Sequence, residues 1–236
     1  MPQPSPDLRQ CLVVAIDGPA AAGKSSTAKW VAERLGFLHV DSGSLYRAVT
    51  AAALRTGVPP EQWEEPLLLE AAQLVTLVPG DRAFVPALRG KVLDEEIRGT
   101  AVTQHVSRTA RMPAVRCWVN DTVRLAADGR SVVVDGRDIG TVVFPDADLK
   151  VFLVADPWER ARRRLVQRLG RAPTDDEVAA ETERLVQRDA RDATQTVQGK
   201  DAVLIDTTYL TQEEQVDRIV ALARVLMSRS ESSASR

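Results

Sequence analysis

Two cysteines in 236 residues, Cys11 and Cys117, are too few and too isolated for a disulfide framework or a thiolate zinc site. Such sparse use of cysteine fits a reducing compartment. Histidine is equally scarce. His39 and His105 sit in no motif, and each reads as a structural side chain rather than a base or a ligand. No Ser-His-Asp, H-E-x-x-H or C-x-x-C arrangement occurs. Neither sign of charge prevails: 31 Lys and Arg face 33 Asp and Glu, a net charge of −2. Nothing in that balance calls for a nucleic-acid polyanion or an anionic membrane as partner. No apolar run approaches the roughly 20 residues of a bilayer span, and residues 1–10 are polar and proline-rich, without the apolar stretch of a secretory signal. No internal repeat is present. These exclusions leave a soluble, cytoplasmic, globular protein of one to two domains, with 44% hydrophobic residues to build its core. Residues 1–10 and the serine-rich tail 228–236 are expected to be disordered.

What is present is organised around residues 12–27. A short apolar run, Leu12 to Ile16, reads as a buried parallel strand. It is followed by a match to G-x-x-x-x-G-K-[ST] at Gly18, Gly23, Lys24 and Ser25. Ala28, Val31, Ala32 and Leu35 then recur at helical spacing. Strand, glycine loop and helix in this order form a phosphate-binding P-loop. Gly18, Pro19, Ala20, Ala21, Ala22, Gly23, Lys24, Ser25 and Ser26 would wrap a polyphosphate with backbone N–H groups, aided by the partial positive charge of the helix N-terminus. Lys24 can reach the β- and γ-phosphates, and the Ser25 hydroxyl can ligate Mg²⁺.

The rest of the chain alternates strands and helices, apart from one interruption. Residues 37–40 read as a second strand, with Asp41 or Ser42 capping the next helix, which Gly57 ends. A short helix is expected near 61–73. Residues 74–78, 83–85 and 91–93 are short β-like runs broken by Pro79-Gly80-Asp81 and Arg89-Gly90, the texture of a small antiparallel insert. Helices follow near 100–108 and 113–127. The alternation resumes with strands at 131–134, 149–154 and 202–205. Asp156-Pro157-Trp158-Glu159 and the capping box Thr174-Asp175-Asp176-Glu177 open two further helices, and Thr211-Gln212-Glu213-Glu214 opens the last. This pattern implies an α/β fold with a parallel sheet covered by helices on both faces. Ligands in such folds sit at the carboxyl ends of the strands, where residues 18–25, 41–47 and 135–138 fall.

Two further groups carry chemistry. Asp135-Gly136-Arg137-Asp138 follows the buried run Val132-Val133-Val134, and an Asp in that position helps to hold Mg²⁺, directly or through water. Arginines crowd 160–171 and 184–191. Of these, Arg160, Arg163 and Arg164 lie one turn apart on a helix that follows a strand end, suited to the charge that phosphoryl transfer spreads over oxygen. Arg162 and Arg168 are left to the solvated face.

These segments resemble the bacterial cytidylate kinases, which are nucleoside monophosphate kinases. The resemblance rests on IDGPAAAGKSS (16–26), VDSGSLYRAVT (40–50), EEIR (95–98), VVVDGRDIGTVVFPDADLKVFL (132–153), ERARRR (159–164), QRDARD (187–192) and DAVLIDTTYLT (201–211). Of these, DGRDIGTVVFPDA is the most specific. The resemblance implies a P-loop core of five parallel strands within one domain, 11–227, a monophosphate-binding insert near 64–128 and a lid near 156–172. It implies Mg²⁺-dependent transfer of the ATP γ-phosphoryl to CMP or dCMP by a monomer. It makes Arg47 and Arg137 clamps on the acceptor phosphate. By the same resemblance Ser42, Ser107, Arg116 and Asp138 read cytosine, Arg188 and Asp192 contact the ribose, and Arg160, Arg163 and Arg164 are lid arginines.

One position departs from the family pattern. Gln195 stands where an arginine is often found, and the connection to the last strand is short. Another small-molecule P-loop kinase, such as an adenylate or shikimate kinase, is the nearest alternative. A regulatory P-loop NTPase would carry N-K-x-D or a glutamate after the second motif strand; here Asp135 is followed by Gly136.

Overall fold

The computed structural model describes residues 11–93 and 95–234. In chain order the elements are β1 (Val13–Asp17), α1 (Lys24–Leu35), β2 (Leu38–Asp41), α2 (Ser42–Leu54), α3 (Glu65–Gln73), β3 (Val75–Pro79), β4 (Phe84–Leu88), β5 (Lys91–Val92), α4 (Thr100–Thr109), α5 (Pro113–Ala127), β6 (Val132–Asp135), β7 (Leu149–Val154), α6 (Pro157–Leu169), α7 (Asp175–Asp192), β8 (Val203–Asp206) and α8 (Gln212–Ala234). Five strands form a parallel sheet in the order β2-β6-β1-β7-β8. The central strand β1 has a neighbour on each side, so the chain leaves it in both directions and opens a crevice at its carboxyl end.

Side-chain alternation on these strands divides the core in two. Val14 and Ile16 of β1 and Val133 of β6 pack with Val31 and Ala32 of α1 and Val216 and Ile219 of α8. Ala15, Val132 and Val134 point the other way, onto Leu45, Ala48 and Val49 of α2 and Val119 and Val123 of α5. Both faces are therefore apolar, which is why these strands read as unbroken hydrophobic runs. The insert is a three-stranded antiparallel sheet, β3-β4-β5, docked beside β2, where His39 N donates to Arg82 O at 3.0 Å.

α6 and α7 form a helical hairpin whose ends follow their sequence signals. Asp156 Oδ1 accepts from Trp158 N and Glu159 N at 2.9 and 3.2 Å, and Thr174 closes a capping box with Glu177. The segment expected as a lid, 156–172, is α6 with its exit turn. Between β6 and β7 lies a wide π-type turn, Ile139–Val143, that sequence patterning did not anticipate. It is held by Asp17, whose two carboxylate oxygens accept from Ile139 N and Gly140 N, each at 2.8 Å. The last helix corrects one expectation: it does not end near 227 but continues to Ala234. The serine-rich composition suggested a tail, yet no Gly or Pro stands between 228 and 234 to stop the helix. Residues 1–10, 235 and 236, also expected to be disordered, lie outside the described residues.

Candidate active site

The three strand-end segments meet at one cavity of about 570 Å³. The P-loop contributes Ala20, Ala21, Lys24 and Ser25, and the start of α2 contributes Ser42 and Arg47. The end of β6 adds Asp135, Arg137 and Asp138. The wall is completed by Ser107 and Thr103 of α4, Arg116 of α5, Arg164 of α6, and Arg188 and Asp192 of α7.

The P-loop takes its shape from backbone that few residues tolerate. Gly18 has φ +145° and Gly23, just before α1, has φ +88°. A Cβ on Gly18 would lie 2.1 Å from Leu153 O of β7, so this position is closed to any side chain. Gly18, Pro19, Ala22, Gly23 and Ser26 are not on the cavity wall and frame the loop instead. Ala22 is buried between α1 and α8, and Ser26 Oγ donates to Gly23 O and to Gln212 Oε1 at 2.9 and 3.1 Å. Lys24 is buried, and its Nζ donates to Pro19 O at 2.7 Å.

Electrostatics mark the cavity as a place for anions. Burial, then the nearby Arg137 charge, pushes the Lys24 ammonium well below its ordinary value. Burial, then Arg188, lowers the Arg47 guanidinium to about 10, and burial, then Arg137, lowers Arg188. Cations that depress one another in this way favour an anionic ligand that relieves the repulsion. Arg47 is steadied by Ile97 O and Thr103 Oγ1, both at 3.1 Å. Arg137 donates to Gly18 O at 2.8 Å and pairs with Asp192 at 3.4 Å. Asp138 forms an ion pair with Arg116, which also donates to Ala110 O at 3.0 Å and lies over the Tyr46 ring at 5.9 Å.

The acidic side of the cavity centres on Asp135, which is buried. Its Oδ2 accepts from Ser25 Oγ at 2.6 Å, its Oδ1 lies 2.7 Å from His39 Nε2, and its carbonyl accepts from Ser42 Oγ at 2.8 Å. Burial alone would lower the His39 pKa, but the hydrogen bond and charge of Asp135 outweigh it and raise the ring above its usual value. His39 therefore braces Asp135. Its sequence gave no motif to reveal this, because the pairing is made across the sheet: His39 sits beside Val133 in β6, two residues before Asp135.

Two arginines are not where their spacing suggested. Arg160 is buried beneath the P-loop, donating to Ala20 O at 2.7 Å and pairing with Asp189 at 2.6 Å. Arg163 turns toward the β8–α8 loop, donating to Thr207 O and Thr208 O at 2.6 and 2.7 Å. Arg164 reaches the cavity, and so does Arg168, which stays half exposed in keeping with its solvated-face reading. Both pair with the buried Glu181 of α7, at 3.0 and 3.7 Å. The i, i+4 spacing from Arg164 was the signal for Arg168. Asp41, Tyr46, Arg98 and Gln195 also line the wall. Tyr46 and Arg98 lay inside quoted motifs without being singled out.

A glycine loop folded onto a buried lysine, at the carboxyl edge of a parallel sheet and opening on a cavity lined by further cations, defines a P-loop phosphotransferase. The family model described as cytidylate kinase matches residues 14–225, and the chain belongs to that family. The cytidylate kinase of Limosilactobacillus fermentum is 44% identical over 213 residues, covering 87% of this chain and 92% of that protein. A bifunctional pantoate ligase/cytidylate kinase from a Synechococcus strain is 42% identical over 236 residues; 96% of this chain covers 43% of that protein. A solved structure of an uncharacterized protein from Eubacterium ventriosum, 12% identical, aligns with a TM-score of 0.50 over 89% of this chain and 97% of that one, a likeness of fold alone.

Proposed function

We propose that this chain transfers the γ-phosphoryl group of ATP to CMP or dCMP, giving CDP or dCDP and ADP. The observation that carries this reading is the convergence of Lys24, Arg47, Arg137 and Arg188 with the Arg116–Asp138 pair on one cavity. The P-loop N–H groups and Lys24 take the donor phosphates. Arg47 and Arg137 clamp the acceptor phosphate, for which the guanidinium fork is well suited. Arg188 and Asp192 hold the ribose. Arg164 covers the transferring group, joined by Arg168. Arg160 and Arg163, pinned to backbone carbonyls, support the hairpin from which those two project.

The acceptor oxygen is already anionic, so no general base is needed; positioning and charge neutralisation do the work. Ser25 Oγ and the Asp135 carboxylate are hard oxygen donors 2.6 Å apart, and they suit Mg²⁺, which takes one or two protein oxygens plus substrate phosphates and water. Bound there, Mg²⁺ would offset charge on the β- and γ-phosphates. His39 and Ser42 hold Asp135 in place. Ordering of the α6–α7 hairpin over the cavity would exclude water. The reading includes small-molecule partners only, with no nucleic acid or membrane, and a monomer acting in the cytoplasm. Among the described residues no helix is long and apolar enough to cross a membrane.

Base choice follows from hydrogen-bond polarity. Cytosine offers a 4-amino donor beside the N3 and O2 acceptors, whereas uracil offers O4 as an acceptor and N3–H as a donor. Asp138 is acceptor-only and Arg116 donor-only, while Ser42 and Ser107 serve either way. UMP would set O4 against the Asp138 carboxylate in a desolvated pocket, and such mismatches are strongly rejected. The test is a coupled assay with ATP across all nucleoside monophosphates, repeated with Asp138→Asn. The wild type should turn over CMP and dCMP best, and the variant should lose CMP activity and gain relative UMP activity. Preference for AMP would defeat the assignment, and an unchanged CMP/UMP ratio would remove Asp138 from base reading.

A further inference from the structure

The P-loop is gripped by the same helix that lines the acceptor side of the cavity. Asp189 of α7 faces the P-loop, while Arg188 and Asp192 of the same helix line the cavity. Asp189 Oδ1 accepts from Ala20 N at 3.2 Å, and its Oδ2 pairs with Arg160 at 2.6 Å. Arg160, 4% exposed, donates in turn to Ala20 O at 2.7 Å. Both polar backbone groups of one P-loop residue are thus held by two side chains that hold each other. The Ala20 methyl is seated in a small apolar cluster with Ala161 and Leu165 of α6 and Val178 and Leu185 of α7. A second tie runs parallel: Asp192 pairs with Arg137, which donates to Gly18 O at 2.8 Å. Two P-loop residues are therefore fastened, through charged groups, to a single turn of α7.

We propose that Asp189 is a positioning residue that couples the donor and acceptor sites. It fastens the P-loop to α7, so an acceptor nucleotide that fixes Arg188 and Asp192 also orders the loop for the triphosphate. The proposal rests on the reading of Arg188 and Asp192 as acceptor contacts. Since coupling between two ligands is reciprocal, it is measured as the factor by which CMP tightens triphosphate binding. Without the clasp, the loop samples alternatives that each nucleotide must restrict separately.

The experiment is calorimetric titration of the full chain with Mg²⁺ and the non-transferable ATP analogue AMP-PNP, with and without saturating CMP. It is done for the wild type, Asp189→Ala and Asp189→Asn. In the wild type CMP should tighten AMP-PNP binding by about tenfold, within the usual range for coupled sites. In Asp189→Ala the factor should fall to about threefold or less, the part that the Asp192–Arg137–Gly18 tie still carries, while CMP alone binds within about twofold of wild type, because no acceptor contact is lost. Asp189→Asn keeps an acceptor for Ala20 N and should restore part of the factor, which also serves if the alanine variant folds poorly. A factor that persists undiminished in Asp189→Ala, or is absent from the wild type, overturns the coupling while leaving the acceptor reading standing. Equal weakening of both nucleotides with an unchanged factor would reduce Asp189 to a merely structural role and also overturn it. Failure of CMP to bind the wild type overturns both.

Discussion

Gly18→Ala separates backbone strain from steric closure at the heart of the donor site. Gly36, the residue that ends α1, provides the control. It has φ +72°, and a Cβ there would meet nothing within 4 Å. Its replacement by alanine should cost only the left-handed penalty, about 1 kcal/mol. Gly18 combines φ +145° with a Cβ position 2.1 Å from Leu153 O. That oxygen cannot retreat cheaply. It belongs to β7, which pairs with β1 at Ile16–Val151 and Asp17–Phe152 and with β8 at Leu153–Ile205. Strain of about 1–3 kcal/mol and overpacking of similar size together predict a loss of about 3–5 kcal/mol. For a chain of this length that corresponds to a fall in Tm of roughly 10 °C, against roughly 3 °C for Gly36→Ala. Urea denaturation and thermal melts of the nucleotide-free variants measure both. If Gly18→Ala loses no more stability than Gly36→Ala, the tight approach of the P-loop to β7 is refuted.

Lys24→Ala should cut turnover by at least about a hundredfold, because it deletes a charge aimed at the transferring phosphoryl. Its Tm should hold or rise, since burial already disfavours that charge in the folded chain; a variant within a few-fold of wild-type activity contradicts the role. Asp41→Asn tests pH dependence. Burial, then the neighbouring Asp135, raises Asp41 from 3.8 to about 6. The folded chain therefore holds this proton more tightly than the unfolded one, and the group's contribution to stability is lost as pH rises from about 4 through 6. Asparagine keeps the acceptor for Ser44 N at the start of α2 but carries no charge. The variant should be more stable than wild type at pH 7, by up to about 2 kcal/mol because Asp41 retains some water contact at the cavity wall. The gap should close near pH 4, and a pH-independent difference in urea titrations would count against it.

Local signals proved sufficient wherever the physics is local. The caps at Asp156 and Thr174, the proline start of α5 and the strand–loop–helix order around Gly18 and Lys24 depend on residues within a few positions of one another. Contacts made across the fold were not legible in this way. Arg168 keeps the exposed face expected of it yet also pairs with Glu181, buried on a different helix, and His39, structural as expected, braces Asp135 of a neighbouring strand. The turn at Ile139–Val143 depends on Asp17, more than a hundred residues earlier in the chain.

By itself the sequence determined the alternation of elements, the two-faced parallel sheet and the phosphate-binding loop. Periodicity, capping and glycine placement act over a single turn or strand, and burial on both faces demands unbroken apolar runs. Only the tertiary structure decided which arginines reach the cavity and which are held away from it. Arg160, Arg163 and Arg164 are nearly contiguous and chemically identical. What parts them is where each guanidinium finds partners after packing: Arg160 under Ala20, Arg163 on the carbonyls of Thr207 and Thr208, and Arg164 at the cavity beside Glu181. A buried cation must be satisfied by whatever acceptors packing brings to it, and those acceptors come from parts of the chain that no local pattern relates to the arginine.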